Sequence, residues 1–286
     1  MWVAGARPKT LGASVSPVLV GTAVASRYGD VVWWRAAAAL GVAVALQVGV
    51  NYANDYSDGV KGVDTAARKG PVRLTASGLA APAAVKRAAY LSLAVGAALG
   101  LVLALAVDWR LAVVGGAGVL AAWFYSGGPK PYASAGLGEV MVFVFFGLVA
   151  TCGSAFVHLD RLPWLAVLAS VPMGLSAAAI LLVNNLRDIP TDTAAGKRTL
   201  AVRIGAPATR RLYGTCLFGA IVAAATLCLW APKALVGMVV APIAIKLATD
   251  VMRPEATPPH LVKALVGTAR FELALAILLT LGMWNW

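Results

Sequence analysis

An acidic stretch near the N-terminal end of the chain reads NYANDYSDGVKGVD over residues 51–64. It follows an apolar run that begins near Val31. Three carboxylates and two asparagines therefore fall where a membrane segment would leave the lipid. Carboxylates at membrane depth are costly and usually functional. The stretch predicts the end of a membrane helix and, at the same place, a functional site.

A second acidic stretch reads NNLRDIPTD over residues 184–192 and follows another apolar run. Asn54 and Asp58 are four residues apart, as are Asp188 and Asp192, and side chains at this spacing share one face of a helix. We expect the two stretches to face each other across one polar cavity.

Pro190 lies inside the second stretch. Proline donates no backbone hydrogen bond and disfavours the α conformation of the residue before it. The sequence therefore predicts a kink or a helix end at Ile189.

Composition places the chain in the membrane. Of its 286 residues, 60% are hydrophobic and 13% are charged, whereas a soluble domain carries roughly 25% charged residues. Apolar runs recur at about the 20 residues that cross a bilayer. We predict an all-α polytopic membrane protein, with about nine transmembrane helices bundled around a central cavity in a single domain over residues 1–286. The predicted spans are residues 11–28, 32–50, 88–107, 111–125, 138–157, 164–184, 212–230, 234–251 and 267–285.

The net charge of +12 does not indicate nucleic-acid binding, because the basic residues lie in short loops and not on one soluble surface. Eighteen of the 24 lysines and arginines fall in alternate connections, at the N-terminus and near residues 51–87, 126–137, 185–211 and 252–270. The positive-inside rule assigns these connections to the cytoplasm. We expect an uncleaved first helix and a multi-pass cell-membrane protein whose N-terminus and acidic stretches are cytoplasmic.

Facing carboxylates repel one another, and a divalent cation removes that repulsion. Oxygen ligands from aspartate and asparagine suit a hard ion, Mg²⁺ or Mn²⁺. Mg²⁺ usually keeps waters and is completed by phosphate oxygens of the substrate, so a phosphate ester is the natural partner. The candidate metal ligands are Asn54, Asp55, Asp58, Asp188 and Asp192.

Basic side chains close to both stretches support an anionic ligand. Lys61 and Arg73 follow the first stretch, and Lys197 follows the second. A third loop, on the same side of the membrane, carries Tyr125 and Lys130. Arginine can hold a phosphate through two parallel hydrogen bonds, and lysine acts as a point charge.

These motifs together resemble the UbiA superfamily of membrane prenyltransferases, and in finer detail its 1,4-dihydroxy-2-naphthoate branch. Asp64 follows Asp58 by six residues, a spacing that suits this branch better than the 4-hydroxybenzoate branch. The matching stretches are residues 7–11, 53–64, 70–73, 131–132, 136–139, 145–147, 184–188 and 196–200.

The resemblance implies a helix bundle whose cavity opens sideways to lipid, an all-trans polyprenyl diphosphate donor, and Mg²⁺ held at the two motifs. It assigns metal or diphosphate roles to Asn54, Asp58, Asp188 and Asp192. It also implies diphosphate contacts from Lys61, Arg73, Lys130 and Lys197. Asn184 is a further candidate substrate contact. Candidates to orient the aromatic acid are Tyr125, Asp64 and Glu139.

The function implied by the resemblance is prenylation of 1,4-dihydroxy-2-naphthoate in menaquinone biosynthesis, with loss of CO₂ and diphosphate. An enzyme of the same superfamily with another aromatic or tetrapyrrole acceptor is an alternative. A secondary transporter is a rival from a different class, since transporters also carry intramembrane acids and broken helices. The position of the acids at span ends, beside basic loops, favours a phosphate site over a transport site.

Overall fold

Only helices form the regular structure of the part of the chain that the computed structural model describes, residues 1–63, 73–129 and 131–285. Short helical turns, Trp2–Gly5, Pro8–Thr10 and Tyr132–Ala135, flank the long ones. The long helices are α1 (Gly12–Ser26), α2 (Trp33–Val60), α3 (Pro82–Ala106), α4 (Arg110–Phe124), α5 (Gly138–Leu159), α6 (Trp164–Ala194), α7 (Leu200–Leu227), α8 (Pro232–Met252) and α9 (Pro258–Met283).

Each predicted span overlaps one of these helices, although α7 begins 12 residues before its predicted span and α2 and α6 each continue 10 residues beyond theirs. Within the described ranges, α2, α3, α5, α6, α8 and α9 are long and apolar enough to cross a membrane, and α1 and α4 are shorter apolar helices. Three arginines, at positions 203, 210 and 211, lower the hydropathy of the first half of α7. The prediction of an all-α, multi-pass membrane protein is confirmed.

The distribution of exposed residues is that of a bundle surrounded by lipid. The largest buried core joins α1 and α6 to α7, α8 and α9, whereas α3 and α4 turn large apolar side chains outward. Leu105 is 80% exposed, Leu91 68% and Val113 62%. A helix that is hydrophobic on all sides is not stable against water, so these faces require a hydrocarbon environment.

The two acidic helices, α2 and α6, end in the same way. Gly62 and Gly196 each lie four residues after an aspartate and adopt the left-handed conformation, with φ of +70° and +69°. In each case the next backbone N–H donates back to the carbonyl of that aspartate, over 2.9 Å from Val63 to Asp58 and 2.8 Å from Lys197 to Asp192. This is a glycine C-cap, in which an L-residue with a side chain would be strained.

Of the kink or helix end expected at Ile189, the helix end is not present. Helix α6 continues through Pro190 as far as Ala194. Asp188 and Asp192 therefore remain on one helix, four residues apart. Proline leaves the helix without one hydrogen bond, but α6 buries residues in most of its turns, from Leu165 to Asp192.

Helix α5 contains a π-helical turn, Phe143–Val149. Here α5 approaches α6 closely. A Cβ added at Gly147 would lie only 2.6 Å from the Cα of Gly174. Such turns shift the side chains that follow onto a different face and are frequent at functional sites. In this chain the turn presents Phe145 and Phe146 to the cavity described next.

Candidate active site

A cavity of about 790 Å³ runs through the bundle. Its walls come from α2, α4, α5 and α6, with contributions from the N-terminal segment and α9. One end is polar and includes Asn54, Asp58, Asp188 and Asp192, whereas the rest is lined mainly by aliphatic and aromatic side chains. The cavity therefore suits a ligand with a charged head and a long apolar tail.

The first acidic motif divides between two environments. Asn54 and Asp58 line the cavity from the last turns of α2. Asp55 does not line it; its two carboxylate oxygens accept backbone hydrogen bonds from Leu74 and Thr75, at 2.7 and 2.8 Å. Asp55 thus holds the returning loop against α2. This geometry argues against the metal-ligand role expected for Asp55, because both of its carboxylate oxygens face the loop and not the cavity.

The second motif presents Asn184, Asp188 and Asp192 to the same cavity from α6. The buried Arg187 guanidinium donates to both carboxylate oxygens of Asp188 at 2.7 Å, and to Asn184 Oδ1 at 2.9 Å. A bidentate pair of this kind fixes a carboxylate in orientation as well as position. Arg187 therefore orients the polar face of α6.

Lys197 joins the two motifs. The Lys197 Nζ atom lies 3.5 Å from Asp58 Oδ2 and 4.0 Å from Asp192 Oδ1. The glycine cap at Gly196 reverses the chain at this point and so places Lys197 on the cavity wall. Asp58 on α2 and Asp192 on α6, 134 residues apart in sequence, thus converge on one ammonium group.

The loop after α4 is attached to the end of α2 through Ser126. The Ser126 side chain hydrogen-bonds Asn54 Oδ1, and its carbonyl accepts from Ser57 Oγ at 2.6 Å and from Lys61 Nζ at 3.1 Å. Lys61 does not line the cavity. The structure thus gives Lys61 a contact that stabilises the loop, and its expected diphosphate contact stays a prediction.

Tyr125 and Tyr132 lie on the cavity wall with their rings perpendicular and 5.5 Å apart. Burial raises the pKa of the Tyr125 phenol strongly, and the nearby Glu139 carboxylate raises it further. Burial also raises the pKa of Tyr132. Tyr125 is therefore a neutral hydrogen-bond donor at any physiological pH, able to bind a carboxylate or a phosphate oxygen.

The donors at the polar end are carboxylate and amide oxygens, the ligands that Mg²⁺ prefers. Among the described residues, no three aspartate, glutamate, histidine or cysteine side chains lie close enough together to form a metal site. The oxygen set on α2 and α6 fits an Mg²⁺ ion that is completed by oxygens of a bound ligand and by water.

A family model described as the UbiA prenyltransferase family matches residues 14–283. The chain belongs to the UbiA prenyltransferase family. It is 50% identical over 251 residues to the 1,4-dihydroxy-2-naphthoate octaprenyltransferase of Mycobacterium tuberculosis, covering 87% of this chain and 85% of that protein.

Solved structures of UbiA homologues share the fold. A UbiA homolog from Aeropyrum pernix K1, in its apo form, matches with a TM-score of 0.72 at 17% identity, covering 96% of this chain and 97% of that one. A UbiA homolog from Archaeoglobus fulgidus, bound to GPP and Mg²⁺, matches with a TM-score of 0.63 at 14% identity, covering 97% of this chain and 99% of that one.

In this UbiA chain the polar end gathers most of the residues expected from the sequence. Asp64 and Lys130 lie outside the described residues. The cavity is lined by Asn54, Asp58, Arg73, Tyr125, Asn184, Asp188, Asp192 and Lys197. The roles of these side chains stay predictions.

Sequence reasoning gave no site role to two contributors to this UbiA site, Ser126 and Asn185. Asn185 lines the cavity and donates through Nδ2 to Glu139 Oε1 at 2.9 Å. Glu139 does not itself line the cavity and contacts it through this hydrogen bond to Asn185. The only available signal was that Asn185 precedes Asp188 by three residues and therefore shares its helix face. Ser126 carried no signal, because its partner Asn54 is 72 residues away.

Proposed function

We propose that the protein transfers a polyprenyl group from an all-trans polyprenyl diphosphate to 1,4-dihydroxy-2-naphthoate, giving demethylmenaquinol, CO₂ and diphosphate. One observation carries the proposal: acidic motifs from α2 and α6 meet around Lys197 at the polar end of a long apolar cavity. The prenyltransferase family and the naphthoate-specific relative support the same activity.

The diphosphate head belongs at the polar end. Lys197 and Arg73 both reach the cavity there and supply positive charge to its oxygens. Asn54, Asp58, Asp188 and Asp192 would hold Mg²⁺ or Mn²⁺ against it. A bound Mg²⁺ ion supplies Lewis-acid stabilisation of the charge that develops on the leaving oxygen. Arg187 holds the Asp188 carboxylate in a fixed orientation throughout.

The transfer breaks the allylic C–O bond, and the electron pair leaves with diphosphate. The ring carbon that bears the carboxylate forms the new C–C bond. The pair of the C–CO₂⁻ bond then returns to the ring as CO₂ departs, which restores aromaticity. The chain contributes an apolar chamber in which Phe145 and Phe146 line the wall. That wall excludes the water that would capture an allylic cation, and aromatic faces stabilise positive charge.

The aromatic acceptor would be oriented by Tyr125 and Asn185. The Asn185 Nδ2 group donates to Glu139, which leaves Oδ1 as the atom able to accept a hydrogen bond from a ring hydroxyl. Glu139 is a positioning residue in this scheme, because its carboxylate fixes the amide of Asn185 and does not line the cavity.

Replacing Glu139 with alanine is expected to lower kcat/KM for the aromatic acceptor about five- to tenfold, the value of one hydrogen bond that orients a reactant. Glu139→Gln should retain most of the activity, because its amide oxygen still accepts from Asn185. Initial rates at varied acceptor and varied diphosphate measure both constants. Equal losses for the two substrates would indicate a general structural role instead.

We place the acidic end in the cytoplasm and count all nine long helices as spans of one integral-membrane domain. The basic residues of alternate connections support the orientation. With this placement the apolar tail stays in the membrane while the charged head and the aromatic acid arrive from water.

Membranes of a host that lacks its own naphthoate prenyltransferase, carrying this chain, test the function directly. They are supplied with a polyprenyl diphosphate and, in turn, with 1,4-dihydroxy-2-naphthoate, 4-hydroxybenzoate and haem. Mass spectrometry should detect a prenylated, decarboxylated naphthoquinol with the first acceptor. A product formed with another acceptor, and none with the naphthoate, would contradict the proposal.

A further inference from the structure

The cavity follows helix α4 along almost its whole length. Leu111, Gly115, Gly118, Ala122 and Tyr125 all line it, and their spacing of three or four residues puts them on one helix face. The 14 residues from Tyr125 back to Leu111 span about 21 Å at a rise of 1.5 Å per residue. Tyr125 lies at the polar end. The distance of a residue from Tyr125 along this helix face therefore gives its depth in the apolar part of the cavity.

Two positions on that face have no side chain. A Cβ added at Gly118 would lie 3.8 Å from Leu46 Cδ1 and 3.9 Å from Phe145 Cε1, which is ordinary contact. A larger side chain would have to extend beyond these atoms into the cavity. At Gly115 an added Cβ would meet nothing within 4 Å. Glycine weakens a helix interior. At these two positions, however, it leaves the cavity the space that a side chain would fill.

We propose that Gly118 and Gly115 set the length of prenyl tail that the cavity accepts, by leaving a passage past Leu46 and Phe145. The inference rests on the proposed function, since it concerns the tail of the same diphosphate substrate. Gly118 lies about 10 Å along α4 from Tyr125, and Gly115 about 15 Å. A short tail would end before Gly118, whereas a long tail must pass both positions.

The test compares Gly118→Leu and Gly115→Leu with the parent chain, using dimethylallyl, geranyl, farnesyl and geranylgeranyl diphosphates and one longer donor. In Gly118→Leu the ratio of kcat/KM for the longest donor to that for the shortest accepted donor should fall at least about tenfold, the cost of an overpacked apolar site. In Gly115→Leu the fall should begin at a longer donor, because the obstruction lies deeper.

Gly116→Leu is the matched control. Gly116 lies on the same helix but is exposed, does not line the cavity and has nothing within 4 Å of an added Cβ. The substitution makes the same change in helix propensity. Its donor profile should equal that of the parent chain.

The experiment distinguishes a failure of the tail-length inference from a failure of the proposed function. A parent chain inactive with every donor would reject the proposed function. An active parent with unchanged profiles in both cavity variants would overturn the inference, as would equal losses for all donors. If Gly118→Leu does not fold, as judged by size-exclusion chromatography in detergent, Gly115→Leu decides, since its site has open space.

Discussion

Replacing Asp58 or Asp188 with asparagine is expected to lower the rate of prenyl transfer by about 100-fold or more. Each change removes one negative charge from the polar end while keeping the size of the side chain. Metal-ion stabilisation of a leaving group contributes several kcal/mol, and each 1.36 kcal/mol is a factor of ten in rate. Steady-state assays on the purified variants, at saturating donor and acceptor, give the measurement.

Asparagine is preferred to alanine for a structural reason. The Asp188 carboxylate is the bidentate partner of the buried Arg187, and removing it outright would leave a buried cation without that partner. Such a loss costs about 3–5 kcal/mol and could unfold the chain. Asparagine keeps one oxygen to accept from Arg187, so a loss of activity reports on the site and not on folding.

Asp250→Asn is the matched control. Asp250 lies on α8, pairs with Lys246 at 2.9 Å on an exposed surface, and does not line the cavity. An exposed pair of this kind contributes about 1 kcal/mol or less to stability. Its loss should leave the rate unchanged. Wild-type turnover in well-folded Asp58→Asn or Asp188→Asn would show that these carboxylates do not take part in transfer.

Local patterns in the sequence were sufficient to predict much of the fold. Runs of apolar residues predicted the positions of the long helices in the part of the chain that the structure describes, because a span must be both long and apolar. The four-residue spacing of Asn54 with Asp58, and of Asp188 with Asp192, placed each pair on one helix face. These are properties of single helices, and they do not depend on which other parts of the chain lie nearby.

The direction of individual side chains could not be predicted in this way. Asp55 belongs to the same acidic motif as Asp58, yet its carboxylate is occupied by the backbone of Leu74 and Thr75. Lys61 is similarly bound to the carbonyl of Ser126. In both cases the deciding partner is 19 or more residues away. Helical spacing alone contains no information about such a partner.

Pro190 shows the same limit for the backbone. The local rule predicts a kink or a helix end at Ile189, because proline removes one hydrogen bond from the helix. However, α6 buries Leu186, Arg187 and Asp188 before this position and Asp192 after it, and tertiary packing overrides a local preference of this size. The continuous helix is what keeps Asp192 in register with Asp188, and so brings it to Lys197.

Removing divalent metal with EDTA is expected to abolish prenyl transfer, and added Mg²⁺ or Mn²⁺ should restore it. Ca²⁺ should restore much less, because it binds oxygens at 2.3–2.6 Å and Mg²⁺ at 2.0–2.1 Å. The physical basis is the donor set of Asn54, Asp58, Asp188 and Asp192, which presents oxygens alone. The measurement is the transfer rate after chelation and after each metal is added back.

The structure also predicts that metal binding requires the diphosphate. Lys197 lies between Asp58 and Asp192, with its Nζ atom 3.5 and 4.0 Å from their carboxylate oxygens, so its positive charge opposes a cation bound at the same place. Electron paramagnetic resonance with Mn²⁺ should therefore show weak binding to the chain alone. Binding should be at least about tenfold tighter with an unreactive thiolated diphosphate analogue, because its oxygens complete the ion and its charge draws Lys197 away from the carboxylates. Asp58→Asn should reduce this gain. Tight Mn²⁺ binding without the analogue, or full turnover in the chelator, would contradict a site assembled jointly by the two motifs and the substrate.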